Sequence, residues 1–128
     1  MIYGVGTDIV EIKRIKDAVE KWGEQFLKRI FTENEIAYCC KKKDPFPHLA
    51  VRFAAKEAVI KAISSEDRLI KIGNFKNIEI LNHPSGKPFI KIHTSHFPLL
   101  TSHFIIHLTL THERNYAVAT VVLETKNS

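Results

Sequence analysis

The chain has 128 residues, 45% of them apolar and 26% charged, which fits one globular domain with a core of its own. Nineteen Lys and Arg against fourteen Asp and Glu leave a net charge of +5, which favours acidic or phosphorylated partners without choosing among nucleic acid, an acidic protein and a polyphosphate. The opening MIYGVGTDIV carries Asp8 and no basic n-region, and no apolar run reaches the length of a membrane span, so a cytoplasmic protein without a membrane partner is expected. Cys39 and Cys40 are adjacent, which suits neither an ordinary disulfide nor a zinc site; both read as reduced packing residues.

Ile2 to Val10 alternates as a half-buried strand does, with Tyr3, Val5, Thr7 and Ile9 on one face and Ile2, Gly4, Gly6 and Asp8 on the other. Asp8 closes a row that glycines have cleared, and glycine inside a strand marks the close approach of a ligand or of another backbone, such as a helix laid across it. Ile12, Ile15, Val19 and Trp22 then recur at helical spacing, leaving Lys13, Arg14, Asp17, Glu20 and Lys21 on the wet side. Thr32-Glu33-Asn34-Glu35 has the capping-box form and begins a short helix that ends in Lys41-Lys42-Lys43, where cations suit the helix dipole. Asp44-Pro45-Phe46-Pro47 stops it.

The central helix, Leu49 to Ile63, is apolar on two sides: Val51, Ala55, Ala58 and Ala62 form one stripe, and Leu49, Phe53 and Ile60 the other. Such a helix belongs between two layers. Its charges lie along the seams, Arg52 with Lys56 and Glu57 with Lys61, each pair at i, i+4. Charges in a helix with little open face need a partner or a ligand.

From Phe75 the period becomes two, with Ile78 and Ile80 alternating with Asn77 and Glu79, a turn at Asn82-His83-Pro84-Ser85-Gly86, and a return strand from Pro88 to His93. His103 to Thr111 and Tyr116 to Leu123 are two further strands joined by His112-Glu113-Arg114-Asn115. One strand, then helices, then four strands predicts a single α+β domain over residues 1–128, an antiparallel sheet with helices on one side and a long central helix.

Asp8 at a strand end and Glu57 in the helix seam make the strongest constellation. Two carboxylates are what a hard divalent cation needs when it keeps several waters and shares phosphate oxygens with a substrate, and Lys61, one turn on from Glu57, would meet a phosphate. The alternative is that Glu57 and Lys61 form an ordinary helix pair. Thr111-His112 ends a strand, where a histidine either donates to phosphate, acts as a base or has no role. His83, His93, His96, His103 and His107 have no ligand-like spacing. Arg14 and Lys21, about two turns apart, suit an acidic partner or are simply solvated, and Lys41-Lys42-Lys43 reads as solvated. Ser85-Gly86-Lys87-Pro88 reads first as turn chemistry.

Ile2-Tyr3-Gly4-Val5-Gly6-Thr7-Asp8-Ile9-Val10-Glu11, followed by Arg52-Phe53-Ala54-Ala55-Lys56-Glu57-Ala58 with Lys61, resembles the two signatures of the holo-acyl-carrier-protein synthases, the small bacterial 4′-phosphopantetheinyl transferases. Gly86-Lys87-Pro88 is similar to that family's hairpin turn, and Leu110-Thr111-His112 with Tyr116-Ala117-Val118-Ala119 to its closing strand pair. Two segments depart from the family pattern: Ser64-Ser65-Glu66-Asp67-Arg68, where members have a glycine-containing loop, and His96-Phe97-Pro98, which puts a proline where members tend to be helical.

The resemblance implies the 4′-phosphopantetheinyl transferase fold and transfer of the phosphopantetheine arm of coenzyme A to a serine of apo acyl carrier protein, with release of adenosine 3′,5′-bisphosphate. It further implies magnesium on Asp8 and Glu57, a phosphate contact for Lys61, a coenzyme pocket lined by Arg52, Thr111 and His112 with Lys87 and Pro88 near the nucleotide, and carrier docking on Arg14 and Lys21. Glu57 or a metal-bound water are the candidate bases. A homotrimer with active sites between subunits is implied as well, in which one stripe of the central helix would face its own sheet and the other a neighbour. Two alternatives are a catalytically inactive coenzyme A-binding relative and a small basic RNA-binding domain, although the scattered phenylalanines do not interleave with basic residues as an RNA platform requires.

Overall fold

A computed structural model describes residues 1–63, 75–93 and 103–126. The two departures from the family pattern, at 64–68 and 96–98, lie outside the described residues. The chain begins with strand β1 (Ile2–Glu11), runs through helices α1 (Ile12–Trp22), α2 (Glu24–Ile30), α3 (Glu33–Cys40) and α4 (Phe46–Ile63), and continues with strands β2 (Ile78–Asn82), β3 (Pro88–Ile92), β4 (Phe104–His112) and β5 (Tyr116–Thr125). Among the described residues no helix is long and apolar enough to cross a membrane.

The α+β class stands, with one change in sheet organisation. Instead of one sheet there are, among the described residues, two: a three-stranded sheet in the order β1-β5-β4 and a separate β2-β3 hairpin, antiparallel throughout. Helix α4 lies on the larger sheet and is covered from other directions by α1, α3 and β2. Of its second stripe, Leu49 is covered within the chain, and Phe53 and Ile60 are half-buried. Leu49 is buried, and Phe53 lines a small cavity with Val10, Arg14, Ile15, Ala18 and Phe26 of the same chain. The surface left uncovered is the far face of the sheet, where Val5 is 58% and Ile9 63% exposed, beside exposed Tyr3 and Ile105.

Local signals account for most boundaries. The Thr32 side chain accepts from the Glu35 N–H while Glu35 accepts from the Thr32 N–H, the reciprocal pair a capping box requires. Asp44 accepts from the Phe46 N–H at 3.1 Å, so α4 starts three residues before Leu49 with Pro47 in its first turn, where a missing N–H costs nothing. Two details of the sequence reading change. Trp22 is exposed at the end of α1, and α2, only seven residues long, has too short an apolar pattern to declare itself. Gly23, at φ 55°, separates α1 from α2.

Candidate active site

The site is set by how closely β1 and α4 approach. A Cβ added at Gly4 would stand 2.0 Å from the Ala62 carbonyl oxygen, and one at Gly6 would stand 1.9 Å from that of Ala58. Strand and helix are therefore in backbone contact, which only a side chain of hydrogen allows. Asp8 is the next residue on the same face of β1, so its carboxylate emerges against the Glu57–Lys61 seam. Lys61 Nζ donates to Asp8 Oδ1 at 3.0 Å and to the Thr7 carbonyl at 3.1 Å. The lysine leans toward the strand and makes its ion pair there, not with Glu57 one turn back.

Glu57 completes the trio electrostatically. Burial pushes its carboxyl above the ordinary glutamate range, the nearby Asp8 charge pushes it further, and Lys61 pulls the other way. Crowding of two carboxylates beside one lysine leaves an excess of negative charge where Asp8 is 17% exposed. Among the described residues no cluster of three or more His, Cys, Asp or Glu forms a metal cage, so a cation here would draw its remaining ligands from water or substrate.

The other seam of α4 faces the interior. Lys56 and Glu35 are fully buried and paired at 2.8 Å; Lys56 also donates to the carbonyls of Phe75 and Ile78, and Glu35 accepts from the N–H groups of Thr32 and Ile80. Every lobe of the pair is engaged, as burial demands. Arg52, 2% exposed, donates to the His48 carbonyl at 3.1 Å and to Asn82 Oδ1 at 2.8 Å, with its guanidinium 4.5 Å from the Tyr38 ring centroid. Its Nε is buried and has no hydrogen-bond partner among the described residues.

The remaining sequence candidates fall into separate groups. His112 and Thr111 are exposed at the end of edge strand β4, and the His112 ring meets that of His48 edge-on at 5.4 Å between centroids. His48, at the start of α4, has its pKa lowered by burial and by its neighbours His112, Arg52 and Lys42. Lys87 and Pro88 close the β2-β3 turn and connect to Arg52 through Asn82. Arg14 and Lys21 are exposed on α1. Sequence reasoning missed Glu35, His48 and Asn82. Only Glu35 carried a signal, its place in the capping box, and that signal pointed to a helix end.

Comparison with known proteins gives the family. The family model described as the 4′-phosphopantetheinyl transferase superfamily matches residues 4–121. The chain is 49% identical over 123 residues to the holo-[acyl-carrier-protein] synthase of Thermodesulfovibrio yellowstonii, covering 96% of this chain and 99% of that one. It is 44% identical over 126 residues to the enzyme of the same name from Halothermothrix orenii, at 97% and 98% coverage. Among solved structures, the holo-[acyl-carrier-protein] synthase of Neisseria meningitidis superposes with a TM-score of 0.84 at 36% identity, covering 97% of this chain and 99% of that one. That of Helicobacter pylori in complex with coenzyme A gives a TM-score of 0.78 at 30% identity, covering 94% and 99%. The chain belongs to the 4′-phosphopantetheinyl transferase superfamily and, within it, to the holo-acyl-carrier-protein synthases.

Proposed function

We propose that the chain transfers the 4′-phosphopantetheine arm of coenzyme A to a serine hydroxyl of apo acyl carrier protein in the cytoplasm, releasing adenosine 3′,5′-bisphosphate, and that it does so with magnesium on Asp8 and Glu57. The observation that carries this reading is the meeting of Asp8, Glu57 and Lys61 at one edge of α4. Displacement at phosphorus asks little covalent chemistry of a protein; it asks for positioning and for compensation of the charge that gathers on the leaving group.

The donor set fits magnesium. A Glu57 carboxyl whose proton affinity is raised by burial and by Asp8 is relieved by a divalent cation, and a hard cation with few protein ligands keeps room for water and phosphate oxygens. When bound, the ion supplies charge neutralisation at the pyrophosphate. Lys61, with its side chain 53% exposed, exchanges Asp8 for a phosphate oxygen without desolvating a buried charge. Glu57, or a water held by the ion, would receive the serine proton.

Around this centre, Thr111, His112, Lys87 and Pro88 border the coenzyme, and Arg52 holds His48 and Asn82 behind them. Arg14 and Lys21 dock the acidic carrier. The exposed apolar residues Tyr3, Val5, Ile9 and Ile105 support a homotrimer with active sites between subunits, because exposed apolar surface on a sheet favours association.

Incubation with coenzyme A, magnesium and an apo carrier of fatty-acid synthesis tests the reading. The carrier gains roughly 340 Da, the mass of the covalent modification, and a chelator abolishes the gain. Absence of any mass gain across several carriers overturns the assignment.

A further inference from the structure

The turn between β2 and β3 presents Lys87 and Pro88, yet it has little burial to hold its shape: His83, Pro84, Ser85, Gly86 and Lys87 are all exposed. Two backbone hydrogen bonds close it, from the His83 N–H to the Lys87 carbonyl at 2.9 Å and from the Gly86 N–H to the His83 carbonyl at 2.8 Å, with Gly86 at φ 94°. Beside the β2-β3 ladder and the stacking of the His83 ring on Phe89 at 4.2 Å between centroids, one side chain ties this closed turn to α4. Asn82 Oδ1 accepts from Arg52 at 2.8 Å, and Asn82 Nδ2 donates to the Gly86 carbonyl at 2.9 Å. Arginine has only donors and a carbonyl only accepts, so the orientation of the carboxamide is settled by its two neighbours. Arg52 is itself anchored, being buried, bonded to the His48 carbonyl and seated on Tyr38.

We propose that Asn82 is a positioning residue for coenzyme A, clipping the β2-β3 turn to Arg52 of α4 and so setting where Lys87 and Pro88 stand. The proposal rests on the reading above in which that turn borders the coenzyme. Among common side chains, carboxamide chemistry is what the place asks for. Aspartate keeps an acceptor for Arg52 but sets a carboxylate oxygen against the Gly86 carbonyl, while alanine serves neither partner. Asn82 bonds Arg52 and Gly86, whereas the carboxylate site is held by Lys61 on Asp8, so loss of Asn82 should weaken coenzyme binding and spare the chemical step.

Steady-state kinetics of the full chain with coenzyme A and apo carrier tests this. For both Asn82→Asp and Asn82→Ala the expected result is a KM for coenzyme A raised about tenfold, the loss of one well-placed hydrogen bond, with kcat and the KM for carrier within about twofold of the parent. A role limited to general folding lowers kcat and the melting temperature without that split, and overturns the proposal. A wild-type KM in Asn82→Asp also overturns it, since the Arg52 contact alone would then suffice. Lys87→Ala serves as the reference. If it raises the KM for coenzyme A while Asn82→Asp does not, the positioning role fails and the site reading survives; if Lys87→Ala itself leaves that KM unchanged, the turn does not border the coenzyme and both fall.

Discussion

Gly6 of β1 stands so close to Ala58 of α4 that a Cβ at Gly6 would lie 1.9 Å from the Ala58 carbonyl oxygen. The obstacle is helix backbone, which cannot swing aside as a side chain does. Gly6→Ala therefore forces strand and helix apart, at a cost of about 3 kcal/mol from overpacking, and moves Asp8 off the Glu57–Lys61 seam. Calorimetry should show a melting temperature lowered by roughly 10 °C, and carrier modification should fall more steeply than the folded fraction.

Lys56 and Glu35 offer a second test, one of stability without chemistry. Burial drives the Lys56 pKa down while Glu35 beside it opposes the shift, so the charge survives only as half of the pair. Lys56→Met leaves a buried carboxylate unpaired and should cost about 3–5 kcal/mol in urea titration. The double variant Lys56→Met with Glu35→Gln should recover a substantial part of that loss, because no buried charge then lacks its partner.

For the carboxylate site, Asp8→Asn and Glu57→Gln should each lower transfer at least about 100-fold while leaving thermal unfolding close to that of the parent. Both variants keep the shape of the side chain and remove its charge. Magnesium titration followed by activity should show the half-saturating concentration rising as pH falls, since protons compete with the metal for a Glu57 whose pKa is raised by burial and by Asp8. Full activity in either variant at ordinary magnesium removes that residue from the ligand set.

Acid stability should depend on Glu79. Burial raises its carboxyl, but hydrogen bonds from Thr32, His93 and Asn34 outweigh that and hold it below the ordinary glutamate value. A depressed folded-state pKa adds stability that is fully present above the unfolded value and drains away as pH falls through the folded one. Unfolding free energy should thus decline on the acid side of the usual carboxylate range, and Glu79→Gln should flatten that part of the curve while lowering stability at neutral pH.

Arg14 is exposed on α1, where contacts with an acidic carrier are screened by salt. Arg14→Glu should raise the apparent KM for carrier several-fold at low ionic strength, with the difference shrinking as salt is added. The KM for coenzyme A should not change. An unchanged carrier KM removes Arg14 from the docking surface.

Much of this architecture was legible in the chain itself wherever the rule was local. The alternation of β1, the capping box at Thr32, the i, i+4 seams of α4 and the turn at Gly86 are each written within a few residues, because helix and strand periods and caps act over that range. The cleared glycine row also located Asp8 correctly as the residue that would meet whatever lay across the strand. Residues distant in sequence had to be brought together by folding before their partners were defined. Lys61 chose Asp8 over Glu57, Lys56 found Glu35, and Asn82 joined Arg52 to Gly86. In the same way, α1, α3 and β2 pack against α4 away from the sheet and bury Leu49, and the barest apolar residues, Val5 and Ile9, stand on the outer face of the sheet. Alternation shows that a strand has two faces; which face is covered depends on where the helix packs, and that is a property of the whole chain.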